Sequence, residues 1–289
     1  MRSKHVKMKY LISLCFLSLT LGTAGVADAR CAFVGGSTGS IAFNIIDPSA
    51  SPGPVLGTVT TQVNFTCNNN RAFTVTAAPA SGWTLISGAN SMPYTLGFIA
   101  SGLGQGNATP IALLTNTSQI IMSNYQNAAG GAYTNSQAVT LTINCPTCTA
   151  PRTITATIPL GNVSGTVINT CAVTQAAGTL TFTMDPSVSG TTTAVISPDL
   201  KIKCTKNDPI SITSSSTCGG ASPKMGLGGC GGFLIPYTFT TNPSPGTTGL
   251  GFGAGTDITL GIGGSASSVN YANAPVGSYS DIETVTITY

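Results

Sequence analysis

The cysteines are the residues of this chain whose type and spacing could support chemistry. Eight of the nine cysteines follow position 30, four in each half of the chain: Cys31, Cys67, Cys145, Cys148, Cys171, Cys204, Cys218 and Cys230. The pair Cys145-Pro-Thr-Cys148 has the spacing of thioredoxin-like redox centres and of half a zinc site. A redox centre needs a helix N-terminus in a βαβ unit, and a zinc site needs a second, unpaired cysteine pair. We therefore expect structural disulfides and no metal.

Beyond the expected cleavage site, the sequence also lacks the residues needed for histidine-assisted nucleophilic catalysis and, in its first half, for two-carboxylate glycoside hydrolysis. The single histidine, His5, precedes the expected cleavage site, so no imidazole is left to activate a serine or cysteine nucleophile. Asp47 is the only carboxylate between residues 30 and 160, so a two-carboxylate glycosidase site cannot form there. Asp47 and Asp185 both precede proline, which favours a role in turns. We expect a protein that is not an enzyme and has no cofactor.

The N-terminus has the pattern of a secretory signal peptide. Basic residues precede the apolar run 11–21, and Ala27-Asp28-Ala29 offers small residues for cleavage, which predicts a signal over 1–29. Four of the eleven basic residues and one of the eight acidic residues lie in this segment. The remaining chain is therefore near neutral, which argues against a nucleic-acid partner. Export favours disulfides, since they persist in oxidising compartments.

The rest of the sequence has the periodicity of β-strands. Apolar residues alternate with threonine in 139–143 and again in 284–289, and glycine, proline and asparagine separate such segments. Alternation with period two indicates half-buried strands, and many short strands favour antiparallel sandwiches of the immunoglobulin-like kind. A length of 289 residues suits two such domains.

The two halves of the chain look like copies. A cysteine, an Asp-Pro pair and a second cysteine follow one another in each half, at similar spacing. In an immunoglobulin-like sandwich the first strand begins near the end of the second, so these cysteines should pair, and the remaining cysteines should pair locally. The expected disulfides are Cys31–Cys67, Cys171–Cys204, Cys145–Cys148 and Cys218–Cys230.

These features resemble the spore coat protein U family, whose members include subunits of archaic chaperone–usher pili. The resemblance rests on Cys171-Ala-Val, Phe182…Asp185-Pro186, Cys204 and the ending from Gly277 to Tyr289, and more loosely on Cys31, Phe43, Asp47-Pro48, Cys67 and Tyr133. It implies an immunoglobulin-like fold that lacks its final strand. A periplasmic chaperone lends that strand, and the N-terminal strand of an adjacent subunit later replaces it during assembly at the outer-membrane usher.

The two halves differ in the segment that comes after their alternating strand. Behind 139–143 comes the segment 152–158, whose Ile154, Ala156 and Ile158 can complete the first domain in cis. Behind 284–289 the chain ends, which predicts an acceptor groove edged by Val285, Ile287 and Tyr289, with unpaired backbone groups. The predicted domains are 30–160 and 171–289, joined by a linker over 161–170. Only Arg30 precedes Cys31, so no strand is left to donate, and we expect a subunit at the tip of a fibre.

The loops of the first domain that face away from the second domain are predicted to bind a surface. The expected contact residues are mostly apolar: Leu103, Pro110, Ile111, Leu113, Leu114, Pro146 and Trp83. The alternative for Ile111–Leu114 and for Trp83 is burial in the core. The predicted function is that of a pilus tip adhesin at the cell surface, which mediates attachment to abiotic or host surfaces and biofilm formation. A secreted coat protein and a lectin-like sandwich are the alternatives.

Overall fold

The computed structural model describes residues 30–50, 53–68, 70–106, 108–148, 152–242 and 247–289. The predicted signal peptide over 1–29 lies outside these ranges, as do residues 149–151 next to the Cys145–Cys148 turn. Within the described ranges, no helix is both long and apolar enough to cross a bilayer.

The N-terminal half, residues 30–168, consists of short strands and one helical turn, α1 (Met122–Tyr125). Its strands are β1 (Ala32–Val34), β2 (Ser40–Ile46), β3 (Val55–Leu56), β4 (Thr58–Thr61), β5 (Asn64–Thr66), β6 (Ala72–Ala78), β7 (Thr84–Ser87), β8 (Asn90–Pro93), β9 (Ser101–Leu103), β10 (Ile111–Ala112), β11 (Gln119–Ile120), β12 (Gly131–Asn135), β13 (Val139–Asn144), β14 (Thr153–Ile158) and β15 (Val163–Val167).

The C-terminal half, residues 169–289, has the same character, with one helical turn, α2 (Ser268–Tyr271). Its strands are β16 (Cys171–Gln175), β17 (Thr191–Val195), β18 (Leu200–Cys204), β19 (Ser211–Ser216), β20 (Lys224–Leu227), β21 (Leu234–Pro236), β22 (Thr238–Asn242), β23 (Ile258–Ser267), β24 (Tyr279–Ser280) and β25 (Glu283–Thr288).

Two sheets enclose one continuous core in the N-terminal half. One of these sheets has the order β4-β2-β15-β12-β7-β8 and the other β14-β13-β6-β9, and this half has two smaller sheets, β1-β5-β10 and β11-β3. Inward-facing side chains such as Phe43, Tyr133 and Leu141 are fully buried between them. The chain is therefore all-β, with mostly antiparallel sheets, as its period-two pattern predicts. The immunoglobulin-like strand order stays a prediction.

The C-terminal half has a divided core. Its main sheet has the order β16-β18-β23-β17, with β22 also paired to β23, and two smaller sheets are β19-β25 and β21-β20-β24. One cluster of buried side chains surrounds Ile202 and Leu260, and a separate cluster surrounds Ile235 and Tyr237. The buried side chains of this half thus form two groups, whereas those of the N-terminal half form one.

A tyrosine hydrogen bond recurs at the same place in both halves. The Tyr133 hydroxyl donates to the carbonyl of Ala129 at 2.9 Å, and the Tyr279 hydroxyl donates to the carbonyl of Pro275 at 2.8 Å. Both bonds reach back four residues, just before the strand that each tyrosine enters. Tyr133 and Tyr279 therefore occupy equivalent positions and relate the two halves residue by residue.

A second shared feature is the Asp-Pro turn. One carboxylate oxygen of Asp47 accepts hydrogen bonds from the amide and the hydroxyl of Ser49, and Asp185 does the same with Ser187. These bonds to Ser187 lower the pKa of the Asp185 carboxyl. Both aspartates thus hold turns, which is the role that the sequence favours for them.

Four disulfides join Cys31 to Cys67, Cys145 to Cys148, Cys171 to Cys204 and Cys218 to Cys230. These are the pairs that the sequence predicts. The first two pack against each other, with 4.0 Å between the sulfurs of Cys31 and Cys148. The sulfurs of Cys31, Cys145 and Cys148 lie within 4.8 Å of one another. All three are buried and oxidised, so the group has no thiolate with which to bind a metal.

The two halves meet at the end of β15 and the start of β12. The side-chain amide of Asn169 donates to Asp208 at 2.9 Å, and the amide of Phe252 donates to the carbonyl of Gln126 at 2.7 Å. From this contact β12 and β13 run away through the N-terminal half. Asn144, at the far end of β13, therefore lies at the distal end of that half.

Candidate strand-acceptor groove

In the N-terminal half, the strand after β13 folds back and completes the sheet. β14 pairs with β13 along its whole length, from Asn144 opposite Thr153 to Val139 opposite Ile158. Of the predicted cis-donor side chains, Ala156 and Ile158 are fully buried and Ile154 is half-buried. The segment 152–158 thus completes the sheet beside β13 in cis.

The completing segment extends further than the sequence analysis predicts. After a turn, the chain enters β15, which lies between β12, antiparallel to it, and β2, parallel to it. The predicted linker over 161–170 is therefore wrong for Val163–Val167, which is a core strand. Gly165 allows the close approach, since a Cβ there would lie 3.0 Å from Ile46 and 3.1 Å from Phe43. The alternation of Val163, Gly165 and Val167 was the available signal.

A buried asparagine ties β12 to this completing segment. The Asn135 amide nitrogen donates to the carbonyl of Pro159 at 3.0 Å and to that of Gln137 at 2.6 Å. Its amide oxygen accepts from the backbone N–H of Val163 at 3.0 Å. Asn135 is 1% exposed, so these bonds satisfy polar atoms that would be costly to bury alone. It contacts the chain where β14 turns into β15.

In the C-terminal half, the place that corresponds to β15 is a cavity. β24 and β25 correspond to β12 and β13, and each pairs on one side only within the described residues. Between them and the segment 177–184, which corresponds to β2, lies a cavity of about 660 Å³. Its lining includes Leu180, Phe182, Tyr237, Asp281, Glu283 and Val285. We call this cavity, together with the free edge of β25, the acceptor groove.

The exposure of side chains shows the same difference. Counting from the equivalent Tyr133 and Tyr279, the three apolar side chains of β13 correspond to Val285, Ile287 and Tyr289. Those of β13 are fully buried. Val285 and Ile287 are half-buried, and Tyr289 is 53% exposed. The predicted groove-edge residues therefore line an incompletely covered apolar surface.

Two acidic side chains interrupt the apolar lining of the groove. The Tyr237 hydroxyl lies 2.9 Å from Asp281 Oδ2 and 2.9 Å from Glu283 Oε1. Asp281 also accepts from the Ser216 hydroxyl and from the amide of Cys218. Burial, and then the charge of Asp281, raise the pKa of the Glu283 carboxyl, although the Tyr237 hydrogen bond opposes this. Burial and the two carboxylates also raise the pKa of the Tyr237 hydroxyl.

Four of the predicted surface-binding side chains lie in the core instead. Leu113 and Leu114 are 0% and 2% exposed, and Ile111 is buried where β10 pairs with Phe65 of β5. Trp83 is buried beside Tyr94. The prediction of a surface role is wrong for these four. Pairing of β10 with β5 draws the apolar segment inward, and Trp83 packs against the Tyr94 ring. The sequence left this alternative open, since a short apolar run has no period that separates a loop from a core strand.

The other three predicted binding residues are exposed. Leu103 is 59% exposed, and Pro110 and Pro146 are exposed as well. Leu103 ends β9, two residues beyond the point where Thr74 pairs with both Ser101 and Asn144. Leu103 and Pro146 therefore lie near the distal end of the N-terminal half.

No protein-family model and no curated protein matches this chain. Among solved structures, it is similar to a chaperone–tip adhesion subunit pre-assembly complex from the archaic chaperone–usher Csu pili of Acinetobacter baumannii, with 12% identity over 90% of this chain and 100% of that chain and a TM-score of 0.40. It is also similar to a chaperone–tip adhesin complex of CFA/I fimbriae biogenesis, with 11% identity over 90% of each chain and a TM-score of 0.34. The resemblance to the spore coat protein U family therefore stays a prediction.

A matched pair of substitutions tests whether the groove is open. Leu141→Ala and Ile287→Ala remove equal volumes from equivalent positions. We expect Leu141→Ala to lower the free energy of unfolding of the N-terminal half by about 2–5 kcal/mol, because its side chain is fully buried. Ile287→Ala should lower that of the C-terminal half by only about 1 kcal/mol, because half-buried side chains lose less on truncation.

Urea unfolding followed through Trp83, the single tryptophan, reports on the N-terminal half. Hydrogen exchange with mass spectrometry reports on the C-terminal half, and Thr140→Ala serves as a control on the outer face of β13. Equal losses for the two substitutions would mean that the second groove is already closed.

Proposed function

We propose that this chain is a subunit of a surface pilus of the chaperone–usher type, and that another protein supplies the last strand of its C-terminal half. The observation that carries the proposal is the contrast between the two halves. β14 and β15 fill one groove in cis, whereas the corresponding place in the other half is a cavity with a free strand edge. The proposed role is binding and assembly rather than catalysis.

The energetics of the acceptor groove support strand addition. Within the described residues β25 pairs with β19 alone, so its N–H and C=O groups on the other side have no strand partner there. The half-buried apolar side chains of Val285 and Ile287 lie next to these groups. Each apolar side chain that an added strand buries contributes about 1.5–3 kcal/mol, which offsets the entropy lost in ordering the strand. Addition of a strand to a sheet edge is a recurrent recognition mode, and the complementation of pilins by chaperones is one instance.

The proposed partners are those that would cover the groove at successive stages of assembly. After export to the periplasm, a periplasmic pilus chaperone would occupy it and keep the chain from aggregating. At the outer-membrane usher, the N-terminal strand of an adjacent subunit would replace the chaperone strand. The segment just before Cys171, where the resemblance places a donor strand, is β15, and the N-terminal half uses it. This use supports a position at the tip of the fibre.

The N-terminal half would then carry the adhesive surface. The exposed apolar residues Leu103 and Pro146 lie near its distal end, and Pro110 is exposed in the same half. Exposed apolar surface at that end suits attachment to abiotic surfaces or host tissue, and attachment leads to biofilm formation.

Co-expression with a periplasmic pilus chaperone tests the acceptor function. We expect the exported chain to form a 1:1 complex with the chaperone. Ile287→Asp should abolish the complex, because it places a charge on the apolar edge that the added strand buries. Leu103→Ser, far from the groove, is the control and should leave the complex intact. A stable free monomer that ignores the chaperone would contradict the acceptor function.

Attachment to a hydrophobic surface such as polystyrene tests the adhesive role. The double substitution of Leu103 and Pro146 by serine should reduce attachment about tenfold or more, because each buried apolar side chain contributes about 1.5–3 kcal/mol. Leu160→Ser is the matched control, since Leu160 is 65% exposed and lies next to the turn between β14 and β15, away from the distal end. Attachment that free sugars inhibit, and that the double substitution leaves unchanged, would favour a lectin instead.

A further inference from the structure

The acceptor groove contains a charge that its surroundings do not balance. We infer that the strand that fills the groove carries a lysine or arginine beside Asp281 and Glu283. This inference rests on the proposed function, since it takes for granted that a strand from another protein fills the groove.

The hydrogen bonds around the two acids leave acceptors in excess. Tyr237 has a single hydroxyl hydrogen, but its oxygen lies 2.9 Å from an oxygen of Asp281 and 2.9 Å from an oxygen of Glu283. Asp281 has two further donors, the Ser216 hydroxyl and the Cys218 amide. Glu283 Oε2 is buried and has no hydrogen-bond partner in the described part of the chain.

Nothing cationic in the described residues neutralises this pair. The ion pair of the C-terminal half joins Lys203 to Asp257, away from the groove lining. The charge that acts on the Glu283 carboxyl is that of Asp281, which is also negative. A strand that covers Asp281 and Glu283 would remove water from two adjacent acids, which is unfavourable unless a cation or a proton compensates.

The filled groove of the N-terminal half shows that this point of the groove contacts the filling strand. Asp281 is equivalent to Asn135, since each lies two residues after the tyrosine of the shared hydrogen bond. Asn135 donates to Pro159 and accepts from Val163 of the filling segment. At the same place a carboxylate can only accept, so a strand in the acceptor groove must provide the donors.

Glu283, the second acid, also differs in charge from its equivalent residue in the N-terminal half. Counting from the tyrosines, Glu283 corresponds to the neutral Gln137. The Gln137 side chain donates to the carbonyl of Gly82, whereas Glu283 lies in the groove lining beside Tyr237. Leu160 follows Pro159, whose carbonyl accepts the hydrogen bond from Asn135, and its side chain is 65% exposed. In a filling strand whose apolar and polar residues alternate, a lysine or arginine at the position of Leu160 would form charge-assisted hydrogen bonds with the two carboxylates.

The chain itself provides a strand with which to test this. A second copy of residues 152–167 would be attached after Tyr289 through a seven-residue flexible linker, the length that separates β13 from residue 152. In the attached copy, Leu160 would be replaced by lysine, by glutamate, or by methionine as a neutral control. A chain with a glycine–serine extension of equal length gives the baseline.

The stability of the C-terminal half is then measured by urea titration with hydrogen exchange at β25. We expect the lysine copy to close the groove about tenfold more favourably than the methionine copy, and the glutamate copy to close it less favourably than methionine. The preference for lysine should disappear in a chain that carries Asp281→Asn and Glu283→Gln.

The outcomes separate this inference from the proposed function. If the methionine copy protects β25 over the baseline but lysine adds nothing, the inference is overturned and the acceptor function stands. The stability of the C-terminal half could also rise equally for the lysine and methionine copies as the pH falls. That result would mean that a proton on Glu283 neutralises the pair, and it would overturn the inference as well. If no copy protects β25, the acceptor function itself fails.

Discussion

Every β-strand exposes backbone N–H and C=O groups along both of its edges, and the partners available to those groups determine how the two halves of this chain differ. β13 has β6 on one side and β14 on the other. β25, its equivalent, has β19 on one side and no strand of the described residues on the other. Unpaired backbone groups are stable only in water or against another chain. The edge of β25 in the C-terminal half is therefore available for pairing with an added strand.

Packing reflects this difference in pairing. Where β14 and β15 complete the N-terminal half, their side chains bridge the two sheets, and the buried residues form one cluster. In the described part of the C-terminal half, the buried residues form two clusters, with a cavity alongside. Tyr237 illustrates the consequence. Tyr94 stands in a Pro-Tyr-Thr segment of the N-terminal half, as Tyr237 does in the C-terminal half. Tyr94 packs against the rings of Phe43 and Trp83, whereas the Tyr237 hydroxyl contacts two carboxylates in the groove wall.

The sequence predicts those features whose physical signal is local. Alternation of apolar residues with threonine predicts β13, β14 and β25, and the repeated cysteine spacing predicts the disulfides. The sequence does not predict β15, because glycine and asparagine at 161, 162 and 165 are typical of turns. Gly165 instead allows two strands to approach closely. The burial of Ile111 depends on its pairing with β5, more than forty residues earlier in the chain. The Tyr237–Asp281 contact likewise joins residues that are far apart in the sequence, so no local sequence pattern predicts it.

Hydrogen exchange at single amides of β13 and β25, measured in one sample of the free chain, tests the central claim most directly. An edge strand in an antiparallel pair directs every second N–H away from its neighbour. The open groove therefore predicts that β13 is protected at successive amides, whereas β25 alternates between protected amides and amides that exchange rapidly. Uniform protection along β25 in the free chain would contradict the open groove, and with it the proposed acceptor function.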